Sequence, residues 1–126
     1  MLLFKTEVKV ATDPRMGLGL FATEFIPKDS VVWEFVKGID IKVSIDKVEQ
    51  LSEAQQEYFY KYGWIKGKYY FSSADLSNFV NHSNEPNIKN IKKITVALRD
   101  IQPGEELFEN YGEFDSEFDE YKDELF

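Results

Sequence analysis

Three stretches hold the residue types that could do chemistry. "LSNFVNHSNEPNIK", residues 76–89, carries the chain's one histidine, His82, among Asn78, Asn81, Ser83, Asn84 and Asn87. Such side chains hydrogen-bond backbone groups and can satisfy an irregular loop inside a fold, so a structural role accounts for about half of them. A zinc site would need further His or acidic ligands at regular spacing, and no G-x-S-x-G elbow exists to pair with the imidazole; His82 therefore reads as neither metal ligand nor triad base. "RMGLGLFA", residues 15–22, places Gly17 and Gly19 where the backbone can turn and a ligand can approach without meeting a Cβ. It lacks the third glycine and the following helix of a dinucleotide fingerprint and precedes a predicted strand, so the alternative is a glycine turn or bulge. "GEELFENYG", residues 104–112, is a turn and strand ending at Tyr111-Gly112, with Tyr111 as a core aromatic on its plainest reading.

The elements that must position these residues are short. "TEVKV" at 6–10 alternates as a strand should, "SVVWEFV" at 30–36 and "KITVALRD" at 93–100 are β-rich runs bounded by turn residues, and "WIKGKYYF" at 64–71 reads as a hairpin turning at Lys66-Gly67-Lys68. One helix is predicted between residues 46 and 62. Asp46 with Glu49, or Ser52 with Gln55, could form its capping box; Val48, Leu51, Tyr58, Phe59 and Tyr62 share a face, and Gly63 is the stop. "FIPKDSVVWEF" and "DIQPGEELFEN" echo each other as apolar, Pro, turn, acid and strand, which is shared turn chemistry rather than a repeat. The fold class is mostly β with few short helices.

Composition bounds the rest. A chain of 126 residues with 43% hydrophobic content suits a single domain with one core. With no Cys, disulfides, zinc-thiolate sites and thiol nucleophiles are excluded, no structural metal is expected, and a reducing compartment fits. The first ten residues lack a long apolar run, so neither signal peptide nor membrane span is expected, and the protein is expected to be intracellular, cytoplasmic by default, with a nuclear or host-nuclear site open. The net charge of −8 is concentrated at the end: seven acidic residues and one Lys follow from Glu113 onward. A phosphate backbone would be repelled, so nucleic acid is disfavoured and a basic partner is better matched. In the same segment Phe114, Phe118, Tyr121 and Leu125 form a helical apolar stripe, predicted to dock on the body or on a partner.

Taken together and in order, Gly17-Leu18-Gly19, "NFVNHSNEPN" and "EELFENYG" resemble the SET-domain protein lysine methyltransferases. The resemblance spans residues 6 to about 112, with residues 113–126 as a separate acidic segment. It implies a β-clip-like fold of small sheets with a knot-like crossing near Tyr111, and S-adenosylmethionine as cofactor. It implies Gly17, Leu18, Gly19, Asn81 and His82 as cofactor-binding residues, with Phe114 and its stripe as a lid over the adenine. Tyr111 matches the catalytic tyrosine. Tyr62, Tyr69 and Tyr70 are candidates for the wall of a lysine channel, where an apolar, aromatic environment disfavours the ammonium and aligns the amine. Asn78 stands where the family often has Arg, Asn84 where many members have Cys, and Glu109 where an apolar or aromatic residue is commoner; facing the channel, Glu109 would contact the substrate, favour a charged amine and alter methylation number or rate, and facing solvent it would be trivial. The implied substrate is a lysine in a basic, histone-like protein or peptide, and the implied assembly a monomer or homodimer. The alternative is a SET-like binding module that recruits a basic partner without turnover.

Overall fold

The computed structural model describes residues 1–113. The stripe from Phe114 to Leu125, and with it the expected lid, lies outside the described residues. Short strands form four small sheets, with two helices and three 3-10 turns between them. β1 (Thr6–Val10) pairs antiparallel with β2 (Leu18–Ala22), which buries Leu20, Phe21 and Ala22. β3 (Val31–Glu34), β9 (Ile94–Ala97) and β8 (Ile88–Ile91) make a three-stranded antiparallel sheet, with an irregularity in register between Val31 and Trp33. A second such sheet orders β4 (Ile41–Ser44), β6 (Tyr69–Ser72) and β5 (Trp64–Lys66). The β5–β6 hairpin closes over Gly67-Lys68, and Gly67 supplies the positive φ of 63° that the tight turn demands. β7 (Asn81–His82) pairs with β10 (Phe108–Glu109) in parallel, joining segments that lie far apart in sequence.

The helical prediction over 46–62 resolves into two helices, α1 (Ile45–Glu49) and α2 (Glu53–Tyr62). Each has its own start: Ser44 caps α1 by accepting from Lys47, and Ser52 with Gln55 forms a reciprocal capping box on α2. A second serine cap thus restarts the helix where the apolar spacing alone reads straight through. Gly63 ends α2, but with φ −87° rather than a left-handed backbone. Its reason is space, because a Cβ there would sit 2.7 Å from the carbonyl oxygen of Phe59.

The two echoed segments turn out to be neighbours. Ile26 and Ile101, both fully buried, exchange two backbone hydrogen bonds of 2.9 Å, so the two Pro-led corners lie side by side. Their turns use Asp29 and Gly104 at positive φ. These isoleucines belong to the main core with Leu20, Val32, Val80 and Leu107, while Val48, Ile65 and Tyr70 form a smaller one beneath the helices. Full burial of such side chains contributes about 1.5–3 kcal/mol each.

Candidate active site

Several polar side chains of the segment 76–89 are bonded to backbone groups. Asp75 caps the 3-10 turn Leu76–Phe79 by accepting from Ser77 at 3.0 Å and also accepts from the Leu2 amide at 2.7 Å. Burial raises its pKa, yet these bonds and one from Ser73 outweigh burial and leave it below the ordinary value. Asn78 donates to the Ser73 carbonyl at 2.9 Å. Buried Asn87 mimics a strand: it donates to the Glu106 carbonyl and accepts from the Phe108 amide, each at 2.8 Å. Together with the amide of Ser83 on the Glu109 carbonyl at 2.8 Å, this fixes β10 against β7.

His82 and Tyr111 meet at that junction. The Tyr111 amide donates to Nδ1 of His82 at 3.1 Å, and the two rings lie 5.3 Å apart. His82 is buried, and burial pushes its pKa below the usual imidazole value, so at neutral pH it is the uncharged acceptor this bond needs. The Tyr111 hydroxyl donates to the Val80 carbonyl at 2.5 Å. Burial, and then the neighbouring charge of Glu109, hold the phenol above its ordinary pKa, so Tyr111 is a neutral hydroxyl and not a phenolate base.

On one side of β7 lies the G-x-G strand. Gly17 adopts φ 76°, and Leu18 is exposed. Gly19 is pressed against two side chains: a Cβ there would come within 2.6 Å of Glu106 Oε2 and 3.2 Å of Asn81 Nδ2. Asn81 donates to the Leu18 carbonyl at 2.9 Å and to Glu106 at 3.1 Å, and Glu106, itself buried, accepts from the Thr12 amide at 2.7 Å. The amide nitrogen of Asn81 is thus spent on the protein, and the Gly17 carbonyl accepts from the Ala11 amide at 2.8 Å.

Beyond Val80 is a cavity of about 250 Å³. Its aromatic walls are Trp33, Tyr60, Tyr62, Trp64 and Tyr111, and Asn78, Thr95 and Glu109 supply polar groups. The Trp33 indole is held by Ser73 at 3.0 Å and packs edge-on to Trp64. Glu109, the last residue of β10, and Tyr111, the first of the 3-10 turn Tyr111–Glu113 that follows it, both line this cavity. Burial first, opposed by Thr95 and reinforced by the charge of Glu113, lifts the Glu109 carboxyl to about 7. Its carboxylate accepts a long hydrogen bond of 3.5 Å from the Thr95 hydroxyl.

The expected site residues therefore separate into groups. Tyr62 and Glu109 line the cavity with Tyr111, whereas Gly17, Leu18, Gly19, Asn81 and His82 lie outside its walls and join it through Val80 and Tyr111. Tyr69 and Tyr70 are not among the residues that line this cavity. Tyr70 points inward to the small core with Val48 and Ile65, and Tyr69, on the opposite face of β6, is 41% exposed with the Lys42 ammonium 4.4 Å from its ring centre. Phe114 lies outside the described residues. Sequence reasoning missed Trp33, Trp64, Glu106 and Asp75; Glu106 was legible only as the acid preceding Leu107 in the third motif.

Small sheets, a glycine strand tied to an Asn-His segment, and a tyrosine in the wall of an aromatic cavity make up the site. The SET domain family matches residues 17–112, and the chain belongs to it. The H3 lysine-4 specific histone-lysine N-methyltransferase of Chaetomium globosum is 32% identical over an alignment covering 85% of this chain and 11% of that protein. Among solved structures, a humanized mutant of the Chaetomium thermophilum Polycomb Repressive Complex 2 bound to an inhibitor superposes with a TM-score of 0.67 at 25% identity, covering 92% of this chain and 16% of that one. The autoinhibited form of that complex bound to S-adenosylmethionine gives 0.68 at 24% identity over 96% and 17%, a likeness of fold. This chain thus spans about a tenth of the length of the curated relative and about a sixth of each solved chain.

Proposed function

We propose that this domain transfers a methyl group from S-adenosylmethionine to the side-chain amine of a lysine in a basic, histone-like protein. The observation that carries the reading is the position of Tyr111, its ring in the wall of an aromatic cavity and its backbone bonded to the residue beside Asn81. Gly17, Leu18, Gly19 and Asn81 would hold the cofactor. When bound, S-adenosylmethionine supplies a sulfonium methyl carbon, to which the amine nitrogen bonds as the carbon–sulfur electron pair returns to sulfur.

The chain's own residues do the rest. Tyr62, Trp33 and Trp64 line a channel for the lysine stem and exclude water, which weakens the hold of the ammonium on its proton. Tyr111, anchored through its hydroxyl to Val80, fixes the end of the channel where the amine arrives. His82 acts at one remove, holding the Tyr111 backbone. The Chaetomium globosum relative, an H3 lysine-4 specific histone-lysine N-methyltransferase, points the same way.

Calorimetry with S-adenosylmethionine tests the assignment of the cofactor face. Wild-type protein is expected to bind, and Asn81→Ala to bind roughly tenfold more weakly because a buried polar contact is lost. Absence of binding by the wild type would overturn the reading.

A further inference from the structure

We propose that Glu109 is the proton acceptor that converts the substrate lysine's ammonium into the reactive amine. The inference rests on the methyl-transfer reading and gives a role to a carboxyl that the reading itself leaves unused. Among the described residues lining the cavity, Glu109 is the one acidic side chain. It ends β10 one residue before the 3-10 turn that Tyr111 opens, and both line the cavity, so an amine delivered to Tyr111 arrives beside it.

The other groups around the cavity cannot take that proton. Tyr111 already donates its hydroxyl to Val80 and is held neutral, and Nδ1 of His82 is occupied by the Tyr111 amide. Tyr60 of α2 already donates its hydroxyl to Gln56, and Thr95 and Asn90 carry no basic group. Glu113, in the turn after β10, adds negative charge that makes Glu109 a better base. His82 lies opposite Glu109 in the β7–β10 register and is uncharged.

Its environment suits a base and not a permanent counter-ion. Thr95 at 3.5 Å is too distant to satisfy an anion, so the carboxylate is left with capacity for the incoming ammonium. A carboxyl at about 7 lies nearer the ordinary lysine value of about 10.4 than a solvent-exposed glutamate does, and the neutral acid and neutral amine are the pair a dry channel favours. Asn78 lines the same wall, and its side-chain oxygen is buried without a hydrogen-bond partner among the described residues. In the step, the N–H bond breaks with its pair left on nitrogen, and an O–H bond forms on Glu109. After the methylated amine leaves, that proton passes to solvent.

The test is Glu109→Gln, which keeps shape and hydrogen bonding but cannot accept a proton, assayed on the four core histones from pH 6 to 10. Wild-type kcat is expected to rise through a limb near pH 7. The variant should lose that limb, fall roughly a hundredfold near neutrality and recover as pH approaches the amine's own pKa. A substrate with S-aminoethylcysteine in place of lysine, a less basic amine, should rescue it. Unchanged S-adenosylmethionine affinity by calorimetry certifies that the variant is folded. Independently of turnover, carbon-13 NMR of the free protein should show one carboxyl titrating near 7 that vanishes in Glu109→Gln. A variant with the wild-type pH profile, a loss insensitive to pH and to amine basicity, or a Glu109 carboxyl titrating in the ordinary range would each overturn the proposal. A wild type that binds cofactor yet methylates no histone would overturn the substrate reading and this inference with it, whereas an active wild type with an equally active variant would overturn this inference alone.

Discussion

Tyr111 hangs from His82: its amide donates to the imidazole Nδ1 at 3.1 Å while its ring leans on the histidine ring. The single histidine of the chain therefore orients the tyrosine instead of taking part in proton transfer, and only its neutral form can do so. A buried, depressed imidazole stabilises the fold fully above the unfolded value of about 6.5 and loses that contribution as pH falls below it. Thermal melts should show a decline in Tm below about pH 6.5 that is absent in His82→Asn, whose oxygen can still accept but does not titrate.

Tyr111→Phe removes one hydroxyl bonded to Val80. The fold should lose about 1 kcal/mol and cofactor affinity should be kept, while turnover drops at least tenfold. Steady-state kinetics beside calorimetry check this, and equal activity would remove Tyr111 from the mechanism.

Glu109 gives stability the opposite pH dependence. Its carboxyl is raised in the fold, so its contribution is present below the unfolded value near 4.5 and is lost as pH rises through about 7. Glu109→Gln should accordingly be more stable than wild type at pH 8, by about 1–3 kcal/mol, with the difference gone near pH 4. The lower figure allows for water in the cavity, since the residue is half-buried and not sealed. Denaturant titrations at the two pH values measure it.

The two glycines of the first motif should separate. Gly17→Ala meets no neighbour and costs about 1–3 kcal/mol for its positive φ alone. Gly19→Ala drives a methyl group into Glu106, whose carboxyl is pinned by Thr12 and Asn81. It should cost a similar amount by overpacking and also weaken cofactor binding, because Asn81 must move.

Much of this was legible. The alternation of "TEVKV", the hairpin glycine Gly67 and the three motifs in order led to the right fold and family. Helix continuity failed because a serine cap at Ser52 competes with an unbroken apolar period, and only local hydrogen bonding decides between them. The channel walls were half-read. Tyr69 and Tyr70 must face opposite ways on β6, but which aromatics reach Tyr111 depends on how the β5–β6 hairpin packs against β3, where Trp64 meets Trp33. Acids such as Asp75 and Glu106 look like surface residues until distant amides, Leu2 and Thr12, are folded onto them.

The most direct test of the central claim is mass spectrometry of core histones after incubation with the purified protein and S-adenosylmethionine. The account predicts the mass of one or more methyl groups added on lysine, abolished or strongly reduced by Tyr111→Phe. Histones left unmodified by a wild-type protein that binds the cofactor would contradict it.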